Sequence, residues 1–299
     1  MIPVKKTMFP LAPGRAGDMM RGLSVLAVTF LITTPVMAGD IFLANHSFED
    51  PPIVEPQPGD PNFGDPFATT TNEFEEGWVT TGPVYNRFGV EGQNDTGRFL
   101  NRETVFPNPG GGDPIVIPAL PAEMVDGEHI GFLVVNPNAN GTLATDVASI
   151  AQMSGADFET QTDYSFTLSV GSGALFAAGE GSTVVLEIGY FTDEGFDLDT
   201  FDPGIHQFVG LAETEVLQAD VLSTFPLLSD YTVELLADDV TADVLGRRVS
   251  VRVMQVGGED GTYNVDNARL SSQAVPEPAT ATLLLAAGAL FVRRRRARA

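Results

Sequence analysis

Polar and apolar residues alternate strictly in several short stretches of this chain's second half. Tyr164, Phe166, Leu168 and Val170 are separated by Ser165, Thr167 and Ser169. Successive side chains of an extended strand point to opposite faces, so this spacing predicts one buried and one wetted face. Val184, Leu186, Ile188 and Tyr190 repeat the device, as do Tyr231, Val233 and Leu235, then Val249, Val251 and Val253. His129–Val135 and Thr262–Leu270 are further candidates. Turn signals at Gly171-Ser172-Gly173, Gly195 and Gly257-Gly258 separate the runs. No long stretch between residues 39 and 274 keeps the spacing of an amphipathic helix. Leu211–Leu222 has the best helical composition and is the one place where a short crossover helix fits. Upstream, twelve of the 21 prolines fall between Pro51 and Pro121 and break that stretch into loops and short strands. No repeat at a fixed period is visible, which argues against propellers and solenoids. About ten strands with irregular, Pro/Gly-rich connections predict an all-β fold. The expected architecture is a single antiparallel β-sandwich of the jelly-roll kind over residues 39–274.

The two ends have a different character. In residues 1–38, Lys5, Lys6, Arg15 and Arg21 precede the apolar run Leu23–Ile32, and Val36-Met37-Ala38 supplies small residues for cleavage. This is the layout of a signal peptide, cut by a signal peptidase after passage through the secretion machinery. The basic region is long, so Met19 or Met20 is an alternative start. At the other end, residues 275–299, Pro276-Glu277-Pro278 leads into the apolar run Thr280–Val292, and Arg293-Arg294-Arg295-Arg296 follows. Thirteen apolar residues are few for a span of roughly 20. The arginines can snorkel and hold their end on the cytoplasmic side, leaving the acidic bulk outside.

This tail resembles the PEP-CTERM sorting signal of Gram-negative bacteria, on the strength of Pro276, Glu277 and Pro278, the short hydrophobic helix after them and the terminal arginines. The resemblance implies an exosortase-type membrane protease as partner. It also implies a transient inner-membrane anchor through residues 280–292 and a final place at the cell surface or in extracellular matrix. A second resemblance lies in the sandwich. Asn45-His46-Ser47-Phe48-Glu49 is similar to the opening of galactose-binding-like domains, and Tyr263-Asn264-Val265-Asp266-Asn267-Ala268-Arg269-Leu270 to their closing strand. Ile150 and Gln152 ahead of Tyr164-Ser165-Phe166 resemble the middle of such domains. The resemblance implies that first and last strands lie side by side, with a structural calcium held by Glu49 and Asp266.

Charge narrows the partners. The chain holds 40 acidic and 16 basic residues and no cysteine. Between residues 39 and 274 there are seven arginines and no lysine. A nucleic-acid groove needs positive potential that this segment lacks. Without cysteine there are no disulfides, thiol nucleophiles or thiolate metal sites.

Few residues suggest chemistry. His46, His129 and His206 are far apart and lack metal-ligand spacing. Gly110-Gly111-Gly112-Asp113 precedes neither Lys-Ser/Thr nor a helical pattern, so it is loop rather than a phosphate cradle. The acidic run Asp193–Asp202 fails the EF-hand pattern, because Phe201 stands where a third oxygen ligand belongs. A solvated acidic loop is the expectation there. With so many acids, no carboxylate pair can be nominated for glycoside hydrolysis. Trp78, the sole tryptophan, either anchors the core or joins Tyr85 as a glycan platform. The expected function is that of a non-catalytic exported surface or exopolysaccharide-matrix protein, with capacity for carbohydrate and calcium. The alternative is a secreted polysaccharide hydrolase using loop carboxylates.

Overall fold

A computed structural model describes residues 38–44, 46–49, 70–71, 77–81, 95–101, 103–106, 113–117, 119–135, 147–173, 178–196, 200–224, 227–257 and 261–275. The signal and sorting helices expected at the two ends, Pro276, Glu277, Pro278 and Tyr85 all lie outside these residues. The strands, in chain order, are β1 (Gly39–Ile41), β2 (Thr70–Thr71), β3 (Trp78–Thr80), β4 (Asp95–Leu100), β5 (Thr104–Phe106), β6 (Ile115–Ile117) and β7 (His129–Val135). They continue with β8 (Val147–Asp157), β9 (Thr162–Ser172), β10 (Thr183–Phe191), β11 (Phe208–Leu217), β12 (Ser229–Leu235), β13 (Arg248–Val256) and β14 (Gly261–Ala274). One helix, α1 (Gln218–Thr224), follows β11.

Two antiparallel sheets make a sandwich, as the alternation predicts. The larger has the order β12-β9-β14-β7-β4-β2, with β1 also on β14; the smaller runs β11-β10-β13-β8-β3. β5 and β6 form a separate pair. The inward positions read from the sequence are the core. Phe166, Leu168, Val170, Val233 and Leu270 from one sheet meet Ile150, Val184, Leu186, Ile188, Val251 and Val253 from the other, all essentially buried in one apolar cluster. Removing this much apolar surface from water drives the two layers together.

One expectation holds in part. The segment 211–222 is strand through Leu217, and only Gln218–Thr224 is helical. β11 pairs with β10 over its whole length, from Phe208 opposite Phe191 to Leu217 opposite Thr183. A long ladder on a buried neighbour, broken only by a bulge at Leu211, outweighs the weak helical preference of Leu, Ala and Glu. Of the acidic run, Asp193–Phe196 and Thr200–Asp202 form loop, and Asp193 caps its own turn by accepting the Gly195 N–H at 2.9 Å.

Candidate functional site

The first and last strands meet, with Gly39 opposite Ser272 and Ile41 opposite Leu270. Upstream of that pairing, β14 carries a bulge between Asp266 and Arg269, where Asn267 takes a left-handed φ of 54°. Asn tolerates that conformation better than most residues. The extra residue changes which positions face inward: Tyr263 and Val265 before it, Ala268 and Leu270 after it, all in the core. Asp266 is left fully buried on the other side of the strand, against the loop that leads into β7. Its Oδ2 accepts the Asp126 N–H at 2.7 Å and its Oδ1 the Asn267 N–H at 2.7 Å.

Glu49 reaches the same loop by a different device. Phe48 sits at a φ of 60°, a strained value for a bulky residue, held by full burial of its ring. Its carbonyl accepts a hydrogen bond from the buried Arg98 Nη1 at 2.9 Å. Glu49 Oε1 then accepts the N–H groups of Glu128 and His129, each at 2.7 Å, and Oε2 lies 2.7 Å from His129 Nδ1. Gly127, at a φ of 106°, is required: a Cβ there would fall 2.3 Å from Glu49 Oε1. His46 Nε2 stands 3.1 Å from Asp126 Oδ2 at the surface of this corner.

Three carboxylates therefore share one corner. Burial pushes the Asp266 carboxyl up from 3.8 to about 7, although two backbone N–H groups pull it down, and the charges of Asp126 and Glu49 add to the rise. A proton or a hard cation would relieve that repulsion. Among the described residues, no three Asp, Glu or His side chains stand where they could hold a metal ion. Glu49 and Asp266 supply carboxylate oxygens of the kind a hard cation takes, and these already accept the N–H groups of Asp126, Glu128, His129 and Asn267. Asp126 is the member that the sequence reading missed. Its signal is the Asp126-Gly127 dipeptide directly ahead of a strand.

The glycan platform is corrected. Trp78 is 1% exposed, its ring 5.4 Å from that of Phe48, so it anchors the sandwich and presents no face to a sugar. Its place on β3, inside the apolar cluster, explains this. His206 is also enclosed, its ring 4.7 Å from Phe196, with Nδ1 accepting the Asp202 N–H at 2.8 Å.

Residues 274–297 match the PEP-CTERM protein-sorting motif. The motif implies export, a transient membrane anchor and processing by exosortase, a membrane protease, before surface or extracellular release. Among the described residues, no helix is long and apolar enough to cross a membrane. The fold is similar to that of a cyclase from Fischerella sp. TAU in complex with 4-(1H-indol-3-yl)butan-2-one. The TM-score is 0.50 at 16% identity, over 80% of this chain and 100% of the cyclase. A looser overlay, with a TM-score of 0.33 at 13% identity, covers 78% of this chain and all of a structure described as "CBM4 structure and function". Among curated proteins, no sequence matches this chain. At 16% identity the likeness to the cyclase is one of fold.

Proposed function

We propose that this is a non-catalytic exported surface protein, delivered by its C-terminal sorting motif, whose sandwich associates with glycan in the surrounding matrix and is fastened by calcium at Glu49 and Asp266. The observation that carries the reading is the sorting motif at the end of an acidic all-β domain. Association without turnover is supported by the state of the buried acid. Among the described residues Asp266 has the most strongly raised carboxyl, and both its oxygens are engaged by backbone N–H groups, which suits a structural role better than proton transfer to a substrate. An acidic surface repels acidic polysaccharides unless a divalent cation bridges them, so such ligands should bind only with calcium.

Two measurements on the full-length chain test this. Exopolysaccharide from the producing organism is titrated with and without calcium, following binding by calorimetry and hydrolysis by reducing-end release. Binding without accumulating reducing ends is expected. Reducing ends appearing at an enzymatic rate would overturn the non-catalytic reading.

A further inference from the structure

The alternation that places Ile41 against the core sends its neighbours Asp40 and Phe42 to the outer surface of the larger sheet. Phe42 is 78% exposed, more than any other large apolar residue among those described. A single exposed phenyl ring is unremarkable by itself. Its surroundings are not. It stands at the rim of an open groove of about 620 Å3 running over β1, β14, β9 and β12. That volume falls in the ~300–1,000 Å3 range of small-molecule sites.

The floor is built from the wetted positions of those strands. The Thr167 and Thr232 hydroxyls lie 2.7 Å apart, joining β9 to β12. Arg269, brought to the outer face by the β14 bulge, reaches across β9 and donates from Nη2 to Asp230 Oδ2 at 2.5 Å. The Ser169 hydroxyl donates to Asp230 Oδ1 at 2.6 Å. Partial burial works against the charge on Asp230, yet the hydrogen bonds from Ser169 and Arg269 hold its carboxyl below the usual range. Arg269 and Asp230 are each about half exposed, so both keep donor and acceptor capacity for a ligand.

A pyranose ring presents an apolar face of C–H bonds and a rim of hydroxyls. The groove supplies both complements: a phenyl ring for the face, and a fixed ion pair with neighbouring hydroxyls for the rim. Its charges are Asp40 and Asp230 against Arg269, with His46 at one side, which disfavours uronic acids. We infer that the groove over β1, β14, β9 and β12 binds a neutral saccharide, stacked on Phe42 and hydrogen-bonded by Arg269 and Asp230. This rests on the glycan-associating reading and gives it a location on the sheet away from Trp78.

The test uses the full-length chain with soluble neutral β-glucan and galactan oligosaccharides, and with polyuronate in chelator as the acidic counterpart. Calorimetry gives affinity, and thermal melting checks the fold of each variant. Wild type should bind at least one neutral oligosaccharide and not the polyuronate. Phe42→Ala should weaken that binding at least tenfold with an unchanged melting temperature, because the lost ring is mostly in water. Arg269→Gln should weaken it as well. If both variants bind like wild type, the groove is not the site, while glycan association stands. If wild type binds no neutral oligosaccharide, the groove assignment fails; if it also binds no exopolysaccharide, the glycan reading fails with it.

Discussion

Asp266 is a carboxyl that is more easily protonated when folded than when unfolded. Its folded pKa is raised from 3.8 to about 7, so the folded state holds the proton more tightly between those values. The stability it contributes is fully present below about pH 4 and is lost as pH rises through about 7. In chelator, Asp266→Asn should remove that part of the pH dependence, read from melting temperatures across pH 4–8. Calcium at millimolar concentration should raise the melting temperature of wild type at pH 8 and not that of the variant; equal calcium responses would exclude Asp266 as a ligand. Gly127→Ala should destabilise by about 1–3 kcal/mol, since it forces both a left-handed φ and a clash with Glu49. Denaturant titration measures this. Glu49 and Asp266 were accessible from sequence through their flanking motifs. Asp126 was passed over, because its Asp-Gly dipeptide reads as a plain turn and nothing local shows that the turn packs against Asp266, 140 residues on. Trp78 could be read either way, and only the packing of Phe48 against it decides.

At the scale of elements, alternation exposed the strands with one wet face and hid the others. β9 and β12 have a polar row against the groove, and their sequences display it. β8 does not: positions 148–152 are all buried, so neither face is wet and the period of two disappears. β11 was obscured by Glu213 and Glu215, exposed acids on the end strand of the smaller sheet. Charges there discourage pairing with another chain. The inner face of β9 gives a sharp test. Phe166 is fully buried, and Phe166→Asp should abolish the cooperative unfolding transition. Thr167→Ala, one residue along, loses an exposed hydroxyl contact and should cost under about 1 kcal/mol. Comparable losses from both would mean that the register of β9 is wrong.

For the whole molecule, the sorting end was the most legible part, because its message is a short linear motif independent of folding. Glu277→Ala should leave the precursor in the membrane fraction, and intact-mass analysis of the released wild-type protein should show that Arg293–Arg298 are gone. Sheet order was legible only where the first strand was expected beside the last, as β1 is beside β14. The pairings of β14 with β9 and β7 join segments about 90 or more residues apart, and no local pattern announces them.

That placement has a consequence for timing. A chain that crosses a membrane N-terminus first delivers β14 last, and β14 is the strand on which β9, β7 and β1 converge. Until it emerges, the larger sheet is in pieces: β12 with β9, and β7 with β4, with nothing between them. Closure of the larger sheet therefore waits for the residues immediately ahead of the sorting motif. The strand ends at Ala274, and Val275 closes the edge by donating its N–H to the Gln161 carbonyl at 2.6 Å. The sorting motif therefore begins in sequence where the sandwich is completed, so the last strand of the fold and the signal for its processing are contiguous.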